Sequence, residues 1–166
     1  MSQPPTFSLA AVERQDIPQL AQIYTLVTLL DSALKLNYPT PTLCTQSITT
    51  LLQTQLGDPA WLHIKVVDKA TNTIAAWASW VTVAETVKVG EEYAKGLDGY
   101  VQQEMDKMLV EGTKGEKYMR CKACFVLPEF QGRGMGKALV GCGNEIADRE
   151  RLPIFLLASP VVSAIF

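Results

Sequence analysis

Leu20, Ile23, Tyr24, Val27, Leu30 and Leu34 recur at three- and four-residue intervals, which marks one face of a helix. Asp16 stands at the expected N-cap, and Pro18 lies in the first turn, where its missing N–H costs nothing. Asn37-Tyr38-Pro39-Thr40-Pro41 breaks this helix, and a second is expected from Thr42 to about Leu56, closed by Gly57-Asp58-Pro59. Its many threonines favour helices only weakly. Before the first helix, residues 6–13 read as a strand. After the second, Ala60–Lys69 (Leu62, Ile64 and Val66 alternating) and Thr73–Val83 read as a hairpin across Ala70-Thr71-Asn72. A helix-like stretch, Leu97 to Leu109, is ended by Gly112–Gly115. Strand Tyr118–Leu127, turn Pro128–Gly132, helix Gly134–Arg149 and strand Ile154–Ala158 complete the order. On the last helix Met135, Ala138, Leu139, Cys142 and Ile146 share a face.

The expected class is therefore α/β: one domain over residues 1–166, with a mixed sheet flanked by helices. No repeat or linker divides the 166 residues. At 48% hydrophobic and 19% charged residues the chain has the material for a core, and it is no disordered segment. A formal net charge of −2 lacks the cationic excess that non-specific nucleic-acid binding draws on, so no nucleic-acid partner is expected. The longest apolar runs, such as Ile74–Val81, are too short to cross a bilayer. Met1-Ser2-Gln3-Pro4-Pro5 has no signal-peptide character, so a soluble, cytoplasmic protein is expected.

Cys44, Cys121, Cys124 and Cys142 in such a chain point to reduced thiols. Cys121-Lys122-Ala123-Cys124 spells C-x-x-C, but it falls on a strand, where positions three apart point to opposite faces. With one histidine, His63, and no second C-x-x-C, no metal site is expected. His63 reads as a packed or solvent-facing strand residue. Trp77 and Trp80 lie an odd number apart and so face opposite sides of the sheet: one for the core, the other open to line a pocket. Glu85, Glu91, Glu92 and Glu129 read as solvated charges, and no catalytic base is singled out. The Val87–Leu109 insertion reads equally as a lid or as a packed decoration.

The densest chemistry lies in Cys124-Phe125-Val126-Leu127-Pro128-Glu129-Phe130-Gln131-Gly132-Arg133-Gly134-Met135-Gly136-Lys137. A strand enters a proline-marked turn, then three alternating glycines, then an amphipathic helix. Glycines let the backbone approach a ligand closely, and the first amides of a helix form an anion site. Arg133 and Lys137 add positive charge beside it, either for a phosphate or for solvent. The Rossmann pattern fails because Lys137 stands where a glycine is required. The P-loop fails because Ala138 follows Gly136-Lys137.

Gln131-Gly132-Arg133-Gly134-Met135-Gly136 does fit Q-x-x-G-x-G. Placed between this strand and this helix, it resembles the acetyl-CoA-binding motif of the GNAT superfamily of N-acetyltransferases. The hairpin around Val67–Trp80 and the strand around Pro153–Pro160 also resemble that fold, whose central sheet is mostly antiparallel. The resemblance implies an acetyl-CoA cosubstrate, with the main chain of Cys124, Phe125 and Val126 pairing with the pantetheine arm. It also implies that the amides from Gly132 to Lys137 hold the pyrophosphate, and that an amine of a small molecule or peptide attacks the thioester directly.

GNAT enzymes usually continue past the fifth strand into a helix, often carrying a tyrosine that serves as acid, and a final strand pair. This sequence stops at Phe166 with no tyrosine after Tyr118. The expectation is thus a domain lacking the final strand pair. It is either an acyltransferase or a non-catalytic CoA-binding remnant or interaction module. An uncovered sheet edge there would favour pairing with a second copy.

Overall fold

The computed structural model describes residues 6–31, 38–84, 107–109 and 111–156. Five strands form one sheet in the order β1-β2-β3-β4-β5: Phe7–Ala11, Trp61–Asp68, Thr73–Val83, Tyr118–Val126 and Ile154–Leu156. The first four pair antiparallel, and β5 lies parallel to β4. Helices α1 (Ile17–Leu30) and α2 (Pro41–Gln55) pack on one face, and α3 (Met135–Glu150) on the other. The order of elements predicts one α/β unit, and the mixed, mostly antiparallel sheet with flanking helices is what the resemblance implies.

Local chemistry explains each boundary. Asp16 stands before α1 but does not cap it. Its carboxylate accepts the Glu13 amide at 2.7 Å and the Lys65 ammonium at 2.6 Å, tying the helix start to β2. Thr40 caps α2 by accepting the Leu43 amide at 3.2 Å, with Pro41 in the first turn. The threonines of α2 fit a helix because their hydroxyls donate back one turn: Thr45 to the Pro41 carbonyl, Thr49 to Thr45, Thr50 to Gln46 and Thr54 to Thr50. In the hairpin turn the Asp68 carboxylate accepts both the amide and the hydroxyl of Thr71, and Asn72 takes a positive φ.

Some expectations need adjustment. The helix predicted to reach Leu34 ends at Leu30, and residues 32–37 lie outside the described residues. The 112–115 stretch ends the preceding helix as expected, but in its second half. Residues 111–113 are helical, Thr113 donates to the Leu109 carbonyl, and the chain reverses at Lys114 and Gly115, both with positive φ. Residues 85–106, which hold most of the insertion together with Glu85, Glu91 and Glu92, lie outside the described residues, as do 157–166.

The two tryptophans do divide between the faces, yet both are fully buried. Trp77 meets Phe125 on the α1 side. Trp80 lies against Gly143 of α3. Both helix-covered faces of a central strand are core, so neither side is spared for water.

The C-x-x-C reading changes more. Opposite β3, the register steps from Ser79↔Ala123 to Trp80↔Cys121, so β4 holds one extra residue between these pairs. Cys121 and Cys124 therefore oppose Trp80 and Ala78, which are two apart, and the thiols share a face. A β-bulge shifts the side-chain parity that simple alternation assigns. Both remain free thiols. Burial pushes Cys121 up to about 12 and Cys124 up to about 11, so both stay protonated.

Candidate active site: a glycine bend beside an open strand edge

After Val126 the chain makes one 3-10 turn at Pro128–Phe130, with Phe130 buried, and bends into α3. Gly132 and Gly134 take φ of 75° and 81°, which side chains with a Cβ rarely adopt. Gly134 is the N-cap of α3, and no side chain caps that end. The first main-chain bond of the helix is Ala138 N–H to the Gly134 carbonyl at 3.0 Å. Among the described residues the amides of Gly132 to Lys137 therefore have no protein acceptor. They converge at the positive end of a helix of 16 residues.

The flanking side chains differ in role. Arg133 is drawn back onto the turn: it donates to the Glu129 carbonyl at 3.1 Å and its guanidinium carbon lies 5.0 Å from the Phe130 ring centroid. Lys137 is exposed on the first turn of α3. Gln131 donates its side-chain amide to the Val126 carbonyl at 3.1 Å, which ties the bend to the strand. Met135 is buried beneath the bend, an anchor rather than a ligand-facing group.

Among the described residues the strand next to the bend has a free edge. Among the described residues β5 pairs with β4 only over Met119–Cys121, and from Ala123 to Val126 no described strand lies on that side. Leu127 donates its amide to Ala75 of β3. Main-chain groups of successive residues alternate in direction. Those of Phe125 therefore turn into β3, while those of Cys124 and Val126 turn toward the open edge. The described gap begins immediately after the bulge, where the extra residue twists β4 away from regular pairing.

Solved acetyltransferase structures share this architecture. One from Clostridium acetobutylicum, solved with acetyl-CoA, has 14% identity and a TM-score of 0.62, covering 93% of this chain and 82% of that one. A GNAT family acetyltransferase from Staphylococcus aureus has 16% identity and a TM-score of 0.55, covering 93% and 87%. Glucosamine-6-phosphate N-acetyltransferase from Arabidopsis thaliana has 12% identity and a TM-score of 0.59, covering 96% and 87%. The fold is that of the GNAT acetyltransferases. No family model and no curated protein matches the sequence.

Within this GNAT fold, the structure assembles groups that the sequence left scattered. On the α1 side of β4, the Phe125 ring meets Tyr24 edge-on at 5.1 Å between centroids, and Tyr24 meets Tyr38 edge-on at 6.2 Å. The two tyrosine hydroxyls are 3.1 Å apart. Burial and the bond to Tyr38 push the Tyr24 phenol well above its ordinary value, so it stays neutral. Tyr24 is legible in the sequence only as part of a helical stripe, and Tyr38 only as part of a helix break. Nothing local says that they meet.

His63 is a packed residue. Its Nδ1 lies 2.6 Å from the Ser79 hydroxyl, Trp61 stacks parallel to its ring at 5.8 Å, and its Nε2 is buried with no partner. Burial lowers its pKa below the ordinary 6.5. A separate cleft of about 540 Å³ lies near Lys117, Met119 and Ile146. It sits toward the opposite end of β4 from the bend, roughly 20 Å away at the rise of a strand. It holds none of the predicted site residues. No group of three or more His, Cys, Asp or Glu among the described residues is placed to hold a metal. No helix among them is long and apolar enough to cross a membrane.

Proposed function

We propose that this protein is an N-acetyltransferase that uses acetyl-CoA to acetylate a primary amine. The observation that carries the reading is the run of amides from Gly132 to Lys137 with no acceptor among the described residues, opening α3 beside the edge of β4 that no described strand covers. Gln131, Gly132, Arg133, Gly134, Met135, Gly136 and Lys137 form the bend that takes the pyrophosphate. Its amides are the ligands, Lys137 adds charge, and Arg133, Met135 and Gln131 hold the bend in shape. The main-chain groups of Cys124 and the amide of Val126 pair with the pantetheine amides as an added strand would, while Phe125 offers its ring.

In this reading the chain's own residues act mostly by placement. They lay the thioester along β4 and bring the amine to it. The amine, having given one proton to solvent, forms a bond to the thioester carbon. The tetrahedral intermediate collapses with cleavage of the carbon–sulfur bond. The amide nitrogen loses its second proton and the departing thiolate takes one up, leaving free CoA and the acetylated amine. An acetyltransferase solved with acetyl-CoA among the matching structures supports the choice of cosubstrate. The acetyltransferase from Arabidopsis named for glucosamine-6-phosphate and another from Brucella melitensis named for ribosomal-protein alanine support an amine as acceptor.

Thermal unfolding with graded acetyl-CoA tests the binding half. A ligand that binds the folded state at 100 times its Kd stabilises it by about 2.7 kcal/mol. A rise in Tm with acetyl-CoA or CoA, and none with NADH, is expected. Gly136→Val serves as the blocking variant, because its φ is ordinary and a Cβ there meets Val126 at 3.6 Å, a normal contact. A full shift retained in Gly136→Val places the coenzyme elsewhere. Release of free thiol over an amine panel tests turnover.

A further inference from the structure

The helical layer on the α1 face has an unusual composition for a solvent-facing element. The 14 residues of α1 and the 15 of α2 contain no Asp, Glu, Lys or Arg. Leu26, Leu30, Leu43 and Leu51 are among the exposed residues of that layer. Where α1 reaches the free edge of β4, it presents the partly exposed rings of Tyr24 and Tyr38 against Phe125, with the buried Trp77 behind.

Among the described residues the charges near this face are already committed, Asp31 at the end of α1 included. Lys65 is paired with Asp16 at 2.6 Å. Arg120 is buried and has a partner of its own. The polar groups left at the aromatic cluster are neutral hydroxyls. Two phenols that bond each other use one of their two protons, so the second O–H remains to donate, and their oxygens can accept.

Among the described residues, a site built this way has apolar area and neutral hydrogen bonds to offer, with no fixed charge at the ring cluster to draw a second cation or a phosphate. Resting on the acetyl-transfer reading above, we infer that the acceptor is a primary amine carried on an aromatic or alkyl body, seated against Tyr24, Tyr38 and Phe125. The rings stack on or edge against the acceptor's body, and they also favour the cation of an incoming ammonium before it loses its proton. A polyamine would leave its second charge unpaired there, and a sugar phosphate would leave its dianion unpaired, each at a desolvation cost.

The experiment measures calorimetric binding to the CoA-loaded protein and thiol release from acetyl-CoA with four acceptors: 2-phenylethylamine, hexylamine, spermidine and glucosamine 6-phosphate. The first two should bind, and their kcat/KM should exceed those of the others by at least about tenfold, the scale on which apolar pocket contacts discriminate. Tyr38→Ala should raise KM for 2-phenylethylamine about tenfold with a smaller fall in kcat, and Tyr38→Phe should recover most of it. A melting curve on each variant establishes that it is folded. Preference for spermidine or the sugar phosphate overturns the inference. So does an unchanged KM in Tyr38→Ala, or a coenzyme-loaded protein that binds none of the four. If the protein takes up no acetyl-CoA at all, the transfer reading itself falls, and that failure is seen before any amine is added.

Discussion

Gly143 of α3 lies flat against the indole of Trp80. A Cβ built on Gly143 would overlap the ring atoms of Trp80, well inside van der Waals contact. The ring is fully buried, so it cannot step aside. This contact lets α3 settle close on β3 and β4, and it fixes where the first turn of the helix, with its open amides, meets the end of β4.

Gly143→Ala should therefore destabilise the fold. The gain in helix propensity is about 1 kcal/mol and the overpacking costs roughly 1–3 kcal/mol, so a net loss of up to about 2 kcal/mol is expected. Gly141 lies on the same helix with nothing within 4 Å of its would-be Cβ. Gly141→Ala should raise stability by up to about 1 kcal/mol. Urea unfolding of the two variants should move the midpoint in opposite directions.

The cations of the bend should separate by their contacts. Lys137 is exposed, and Lys137→Gln should weaken acetyl-CoA binding by about threefold, an effect that fades with salt, while leaving Tm unchanged. Arg133 is held on the Phe130 ring and the Glu129 carbonyl. Arg133→Gln should lower Tm and weaken binding together. Isothermal titration at two ionic strengths, beside melting curves, measures both.

The buried His63 imparts a pH dependence. Burial lowers its folded pKa below 6.5, so the unfolded chain takes up a proton first as pH falls. Stability is fully present above about 6.5 and declines through the window between 6.5 and the lowered folded value, by up to about 1.4 kcal/mol per pH unit. His63→Gln can still bond Ser79, and its urea midpoint should lose that component of the slope between pH 7.5 and 5.5.

The thiols on the α3 face should be sluggish. Cys121 and Cys124, held protonated near 12 and 11, react with a disulfide reagent at pH 8 far more slowly than an open thiol. Cys44 is fully buried. A native titration should therefore show slow phases for these three and full reaction of all four cysteines only in denaturant. Fast, paired oxidation of Cys121 and Cys124 would contradict the burial that the bulge produces.

Taken alone, the amino-acid order determines the parts whose physics is local. Strand β3 runs from Thr73 to Val83 as alternation predicts, and α2 starts within one residue of its expected place because Thr40 and Pro41 are start signals. The bend at Gln131–Lys137 is legible as a glycine turn into an uncapped helix start, because positive-φ glycines and bare helix amides are properties of a few adjacent residues. Tertiary structure decides the rest. One extra residue in β4 reverses the parity of Cys124 relative to Cys121, and that register is set by pairing with β3, far earlier in the chain. The same pairing turns Phe125 main-chain groups inward and those of Cys124 and Val126 to the edge that no described strand covers, where the Val126 carbonyl accepts from Gln131. Gly143 matters only because Trp80 arrives beneath it, and Tyr24 and Tyr38 become one cluster only when α1 packs on β4. Such contacts depend on long-range packing, and no periodicity within a single element encodes which distant partner will fill a given gap.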